Sequence, residues 1–420
     1  MSAPAPLQRA PLQRAPLQRA VYVVSQFPCL SETFIVREIS TLIDQGVDVR
    51  IISLKPPAKG PVQPESMALL DRVRHPQAPV RALLGTARAL LTSPRQVLGS
   101  MMTILHDSRR RPQVAAKSLG ALFRGLQHTG WLQRFRPQLI HAHWATYPAT
   151  VAWTLGRVLD RPFSFTCHAH DIFVERQLLT RKLRDAALAV TISRFNVAWL
   201  QALGAADADT RLKVVHCGVN LERSAWLPHD RAPALILAVG RLDPIKGFGT
   251  LIEALVLLRE RGIRFHCRLI GSGPLEAELR GLAAAHDMTR MIEFDGAQTQ
   301  DIVQGCMNRS TLFVLPSQVT EDGNRDGIPV ALMEAMASGC PVISTRVSGI
   351  PELIEHGRDG LLVEQRNAVE LADAIEQLLA DPDLRAHLSA RARAHIELAF
   401  DARKEAMRLH GYMAEVAHGQ

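Results

Sequence analysis

The chain has 420 residues, more than one hydrophobic core accommodates, and its 47% hydrophobic and 21% charged content excludes disordered and collagen-like classes. Its six cysteines, Cys29, Cys167, Cys217, Cys267, Cys306 and Cys340, are scattered without a C-x-x-C pair, which argues against a disulfide framework or a zinc site and fits a reducing cytoplasm. The formal charge of +8 favours anionic partners without choosing among nucleic acid, acidic lipid and phosphorylated metabolites.

Residues 1–20 are expected to form a disordered tail, because three copies of A-P-L-Q-R run from Ala5 to Arg19 with proline breaks and no apolar signal-peptide core. From Val21 onward, short β-rich runs alternate with helical ones, the pattern of parallel sheets built from βαβ units. Ala20–Ser25 reads as a strand, Thr33–Gln45 as an amphipathic helix closed by Gly46, and Val47–Leu54 as the next strand. Further strands are expected at Leu139–Trp144, Phe163–Asp171, Leu188–Ser193 and Lys213–Gly218. Their polar ends put His141, His143, His168, His170 and Asp171 where open sheets bind ligands. A Pro-containing stretch, Ser224–Ala234, separates this series from a second one that begins at Leu235, and a helical tail is expected from about Asp383.

Between Val80 and Arg136 the sequence turns helical and basic. Nine arginines and Lys117 oppose one acid, Asp107, so the segment carries a net +9 and the rest of the chain about −1. Arg81, Arg88 and Arg95 recur every seven residues beside Leu83, Leu84, Leu90, Leu91 and Leu98. Two readings stand side by side: a solvated face over an ordinary core stripe, or a surface for anionic lipid headgroups. No apolar run reaches the length of a membrane span; the nearest, Leu83–Leu105, is interrupted by Arg88, Pro94 and Arg95.

The densest chemical signal is NRDGIPVALMEAMASGCPVIST, Asn324–Thr345. Gly327 permits a close backbone approach, Pro329 suits a first helical position, and a helix over Val330–Ser338 is stopped by Gly339 and Pro341. The start of that helix is an anion site, with the N–H groups of Ile328, Val330 and Ala331 facing a phosphate. Asp326 and Glu334 stand eight positions apart, on the order of 10 Å at helical rise. A nucleotide diphosphate sugar bridging the helix start would meet a sugar hydroxyl acceptor at one end and a ribose acceptor at the other.

Together with SQFPCLSETFIVREI, Ser25–Ile39, this segment resembles the family 4 glycosyltransferases of the GT-B fold, and among them the colanic acid and exopolysaccharide transferases. The resemblance runs from Val21 to about Phe400 and leaves the repeat and the basic insert poorly matched. It implies an α/β chain with two Rossmann-like domains facing across a cleft. These are an acceptor-side domain over 21–228 with the insert at 80–136, a nucleotide-sugar domain over 229–395, and a C-terminal helix over 396–420.

Residue by residue, the resemblance implies that Arg241 and Lys246 in VGRLDPIKGF neutralise the donor diphosphate, which stabilises the departing nucleotide. It makes Gly271 and Gly273 in LIGSGP the turn beside the nucleotide, and Glu334 the ribose acid. Asp326 stands where the family usually has a glutamate, one methylene longer. His168 in FTCHAHD is implied near the donor sugar and the acceptor hydroxyl. Ser31, Glu32 and Thr33 match the loop facing the cleft, with acceptor or phosphate contacts, although Ser-Glu-Thr before an apolar periodic run also reads as a helix cap.

The implied activity is retaining, metal-independent hexosyl transfer without a cofactor, from a nucleotide sugar, UDP preferred over GDP, to a lipid-linked or oligosaccharide acceptor. It would take place in the cytoplasm, at the inner face of the membrane. Two rivals share the sequence features: a nucleotide-sugar epimerase of the same fold, and a non-catalytic membrane-surface protein. Nucleic acid is not an expected partner, because the basic segment offers few stacking rings, Phe123, Trp131 and Phe135.

Overall fold

Each Val-, Ile- and Leu-rich run becomes a parallel strand, and the amphipathic stretches between them become crossover helices. The computed structural model describes residues 16–29, 32–57, 64–206, 211–224, 226–227 and 231–417. The first sheet contains β1 (Arg19–Val24), β2 (Asp48–Ser53), β3 (Val73–Arg74), β4 (Leu139–His143), β5 (Phe163–Cys167), β6 (Leu188–Thr191) and β7 (Leu212–Val214). Its helices are α1 (Thr33–Asp44), α2 (Pro64–Met67), α3 (Pro79–Thr92), α4 (Pro94–Asp107), α5 (Pro112–Leu126), α6 (Thr129–Phe135), α7 (Tyr147–Leu159), α8 (Ala169–Phe173), α9 (Leu179–Asp185) and α10 (Arg194–Ala202).

The second sheet contains β8 (Leu235–Val239), β9 (His266–Ile270), β10 (Ile292–Gly296), β11 (Leu312–Leu315), β12 (Val342–Thr345) and β13 (Leu361–Val363). Around it run α11 (Phe248–Glu260), α12 (Glu276–Ala285), α13 (Gln300–Arg309), α14 (Val330–Ala337), α15 (Ile350–Leu353), α16 (Ala368–Ala380) and α17 (Pro382–Ala399), and α18 (Ala402–Ala417) ends the described chain. The strand orders are β3-β2-β1-β4-β5-β6-β7 and β10-β9-β8-β11-β12-β13. Both orders reverse direction once, beside β1 and beside β8, and such switch points open crevices at the carboxyl ends of the strands.

The side-chain period of two divides β1 between two cores. Ala20, Tyr22 and Val24 pack with Ile35, Ile39 and Leu42 of α1, while Val21 and Val23 face the layer of Trp153 and Leu155 on α7. The strand also corrects the expected tail. Leu17 is only 2% exposed and the Gln18 carbonyl accepts from the Asp48 N–H at 2.7 Å, so the last repeat copy enters the core and β1 opens at Arg19. An apolar leucine beside a pairing partner outweighs low-complexity composition there. Residues 1–15 of the repeat lie outside the described residues.

The C-terminal division at 396 falls inside α17; the chain breaks instead at Phe400–Asp401. After that break α18 returns to the first sheet, where Leu409 and Met413 join the core of β1 and α1. The return strand passes against residues 218–220: the Val219 N–H donates to the Phe400 carbonyl at 2.8 Å and the Ala402 N–H to the Val219 carbonyl at 3.0 Å. Gly218 makes this crossing possible, because its φ is +62° and a Cβ there would lie 2.5 Å from the Ala402 Cα. Gly218→Ala is therefore expected to lower stability by more than about 1 kcal/mol, measured as a fall of several degrees in the thermal unfolding midpoint.

Candidate active site at the facing sheet edges

At the carboxyl edge of the first sheet a buried polar chain links three strands and α1. The Tyr22 hydroxyl donates to Glu38 Oε1 at 2.6 Å, His143 Nε2 lies 3.0 Å from the same oxygen, and His143 Nδ1 lies 3.3 Å from His168 Nε2. Burial, with the Glu38 charge beside it, pushes the Tyr22 hydroxyl well above its usual range, so it keeps its proton and donates. With the Glu38 carboxylate accepting, His143 donates from Nε2 and accepts at Nδ1, and His168 donates from Nε2. Burial and the neighbouring His143 hold His168 well below the usual imidazole range, so its ring is neutral.

His168 is the N-cap of α8, directly after β5. Its N–H donates to Asp171 Oδ1 at 2.8 Å, and the other Asp171 oxygen accepts from the Ala145 N–H. One buried carboxylate thus ties the ends of β4 and β5 together. Burial pushes the Asp171 carboxyl up and the Lys182 ammonium down, opposed by the backbone N–H groups on the acid and by the attraction between the two charges. Lys182 meanwhile donates to the carbonyls of Ala145, Thr146 and Gln177 at 2.6, 2.7 and 2.9 Å, which fixes the turn that carries Trp144. The rings of Trp144 and Phe34 cover His168, with centroids 4.5 and 5.1 Å away.

Glu32 closes this side. Burial pushes its carboxyl up, against the opposing pull of His143 and of the Trp144 indole. Glu32 is the N-cap of α1 but makes no side-chain cap bond, and Thr33 is the first helical residue. The expectation for Ser31 lies outside the described residues.

The second sheet contributes the loops after β8, β9 and β11. Lys246 ends a short 3₁₀ turn, Pro244–Lys246, and its Nζ donates to Asp326 Oδ1 at 2.7 Å; the other oxygen of Asp326 accepts from Ser317 Oγ at 2.7 Å. The two residues assigned separately to the diphosphate and to a sugar hydroxyl are therefore paired with each other. Arg241 stands at the same sheet edge with its side chain 72% exposed, 3.8 Å from Asp243.

Gly271 has φ +150°, and a Cβ on it would collide with the Gly240 carbonyl; one on Gly273 would meet the Leu242 backbone. These glycines let the loops after β8 and β9 lie against each other. Pro329 is the N-cap of α14 rather than its first residue, because its ψ of 126° is extended, so the helix starts at Val330. Ile328 just before it is buried. A Cβ on Gly327 would come 2.7 Å from Ile192 Cδ1, so the close approach it permits is to the first sheet's own unit.

Glu334 sits in α14, only 6% exposed, and its carboxyl is pushed up by burial, an effect opposed by Arg37 and Gln300. Arg37 Nη2 reaches across from α1 to within 3.6 Å of Glu334 Oε1. The Arg37 Nε and Nη1 are buried without a hydrogen-bond partner among the described residues. Further contacts hold the edges together: both oxygens of Glu352 accept from the N–H groups of Arg194 and Phe195, at 2.9 and 2.7 Å, capping α10 from the opposite unit. The Arg325 guanidinium lies 4.7 Å from the ring centroids of both Phe173 and Trp199.

The structure thus gathers Glu32, His143 and His168 on one edge and Lys246, Asp326, Gly327 and Glu334 on the other, and leaves Arg241 open to solvent. His141 is buried deeper, 2.9 Å from Ser164 Oγ, and serves the sheet. Its ligand atoms, with those of Glu38 and His143, lie within 4.8 Å of one another, but each already has a protein partner. Sequence reasoning missed Tyr22, Arg37, Glu38, Ser317, Arg325 and Glu352. The adjacent opposite charges Arg37 and Glu38 inside an apolar helix were a signal; Ser317 and Glu352 had none.

Two parallel-sheet units whose carboxyl edges face each other are the two-domain α/β architecture of the GT-B class. Residues 31–223 match the description Glycosyltransferase Family 4 and residues 222–395 the description Glycosyl transferases group 1. The colanic acid biosynthesis glycosyltransferase WcaL of Escherichia coli K12 is 32% identical over 90% of this chain and 95% of its own length. The amylovoran biosynthesis glycosyltransferase AmsK of Erwinia amylovora is 31% identical over the same shares. The chain belongs to the family 4 glycosyltransferases and is similar to those of exopolysaccharide biosynthesis.

Among solved structures, sucrose-phosphate synthase of Thermosynechococcus elongatus aligns with a TM-score of 0.73 over 96% of this chain and 100% of its own, at 20% identity. Anabaena HepE, solved with UDP, aligns at 0.68 over 95% and 100%, at 18% identity. These likenesses show the GT-B fold.

Because Glu38 fixes which nitrogen of His143 donates, Glu38→Gln is expected to lower turnover roughly a hundredfold with nucleotide affinity unchanged. Steady-state kinetics beside an unfolding curve check this; equal turnover at equal stability removes the role.

Proposed function

We propose that the protein transfers a hexose with retention of configuration from a nucleotide diphosphate sugar to a hydroxyl of a lipid-linked or oligosaccharide acceptor in exopolysaccharide assembly. UDP is the preferred nucleotide, as in the complex of the similarly folded HepE. The observation that carries the reading is the Arg37–Glu334 contact, because Arg37 adjoins Glu38 of the histidine chain in α1 and so ties α14 to the edge of the first sheet.

In this reading the diphosphate lies at the loop before α14, where the N–H groups of Ile328, Val330 and Ala331 and the charges of Arg241 and Lys246 face it. Those charges stabilise the leaving diphosphate, so the reaction calls for no metal ion. Lys246 exchanges its Asp326 contact for phosphate, and Asp326 turns to a sugar hydroxyl. Glu334 accepts from the ribose hydroxyls. Neutral His168 cannot hold the acceptor proton as a strong base; it orients the sugar and the acceptor hydroxyl, and the departing phosphate takes the proton on the same face.

Thermal unfolding with UDP, GDP and their hexose conjugates tests donor recognition. At about 100 times its dissociation constant one series adds about 2.7 kcal/mol to the stability of the native protein, and Arg241→Ala loses that shift. Lys246→Ala is expected to cut transfer by roughly 10²- to 10³-fold with the fold intact. Transfer of labelled sugar to an extracted acceptor separates this activity from epimerisation, and unchanged transfer by Lys246→Ala removes its phosphate role.

A further inference from the structure

Where the two sheet edges meet, one arginine lacks the partner that its burial calls for. Arg325 is half-buried in the loop between β11 and α14, and its guanidinium lies 4.7 Å from the ring centroids of Phe173 on α8 and Trp199 on α10. Its Nε donates to the Gly323 carbonyl at 3.1 Å and its backbone N–H to Asn324 Oδ1 at 3.0 Å, but neither Nη group has a hydrogen-bond or ion-pair partner among the described residues. Other half-buried arginines are supplied: Arg37 meets Glu334, Arg268 meets Asp295 and Arg393 meets Glu397, while Arg231 donates to carbonyls. Burial holds the Arg325 guanidinium below the usual arginine range, and no acid among the described residues opposes that effect. The Trp199 indole N–H beside it is buried and also without a partner among the described residues. Donors at this point lack an acceptor, and a ligand oxygen would satisfy them.

Stacking engages the faces of a guanidinium and leaves its planar N–H fork for a carboxylate. Arg325 also faces away from the donor side of the proposed arrangement. Asp326, the next residue, turns into its own unit toward Lys246 and Ser317, whereas Arg325 reaches the rings of the first unit. Phe173 follows His168 by five residues, a rise of about 7.5 Å along α8. A group bound at Arg325 therefore belongs to the acceptor, on the accepting sugar or its immediate neighbour. Charge limits what that group is: the loop carries exposed Glu321 and Asp322, so a diphosphate with several negative charges is repelled where a single carboxylate is matched.

We infer that Arg325 selects the acceptor by binding a carboxylate on it, so that the accepting glycan is acidic and ends in, or next to, a uronic acid. The inference rests on the glycan transfer proposed above, but binding tests it without turnover.

The full chain is titrated with octyl β-glucuronide and with octyl β-glucoside while its tryptophan fluorescence is followed. The acidic glycoside is expected to bind at least about tenfold tighter, the worth of one charge-assisted pair, and the preference is expected to fall as salt rises. Arg325→Gln is expected to abolish the preference and Arg325→Lys to keep part of it, with UDP affinity unchanged in both. Equal binding of the two glycosides by the wild type, absence of binding by both, or an unchanged preference in Arg325→Gln overturns the inference. An arginine that only latches the two units would lower both affinities together on replacement and leave their ratio, which is the last of these outcomes. An Arg325-dependent preference for octyl phosphate over octyl β-glucuronide also overturns it, in favour of a lipid phosphate. So does Arg325-dependent stabilisation by UDP-glucuronic acid beyond that by UDP-glucose, which would move the carboxylate to the donor. Unfolding shifts with the nucleotides alone report separately on the proposed donor site, so failure there is distinguishable from failure here.

Discussion

A carboxylate buried where two sheets meet must be neutralised, and this molecule does it with a guanidinium from the opposite unit. Glu334 lies inside α14, surrounded by Leu332, Met333, Ala335 and Met336 of the second core, and the cation beside it is Arg37 of α1. Removing either charge would leave the other buried and alone, a state that costs several kcal/mol per ion in a protein interior. The pair is one of several contacts that hold the two sheet edges together. Glu352 caps α10, and Arg325 rests on Phe173 and Trp199.

Arg37 and Glu38 are neighbours in α1, and they reach opposite halves of the site. Arg37 meets the acid of α14, and Glu38 meets His143 and through it His168. One turn of one helix thus connects the acid of α14 to the histidine chain of the first sheet. Its position is fixed by the apolar stripe of Ile35, Ile39 and Leu42 against β1, and by α18, which returns from the second unit to cover the same core. The two units are joined by this shared layer as well as by the cleft.

The fold was legible because it rests on local signals. β-rich runs of four to six residues, glycine stops after helices and a Pro-containing break before Leu235 are properties of neighbouring residues. The placement of His168 at a strand end and of Glu334 in a helix was legible for the same reason. The partners of these residues were not. Lys246 and Asp326 are 80 positions apart, and only the packing of the loops after β8 and β11 brings them to 2.7 Å. The tail boundary failed because repeat composition hid Leu17, which is buried in the core shared by β1, β2 and α1. The sequence of the basic segment fits a solvated face over a core stripe and a surface for lipid headgroups equally well; in the structure the leucines divide, Leu90 half-buried and Leu83, Leu84, Leu91 and Leu98 exposed.

Under the proposed function the acid of α14 holds the donor nucleotide at the edge of the second sheet. Calorimetric titration of UDP into the wild-type protein and into Glu334→Ala addresses it directly. Loss of two ribose hydrogen bonds to a charged acceptor should weaken binding by at least about tenfold, with the enthalpy reduced. Equal affinity and enthalpy in a folded Glu334→Ala protein would place the nucleotide elsewhere.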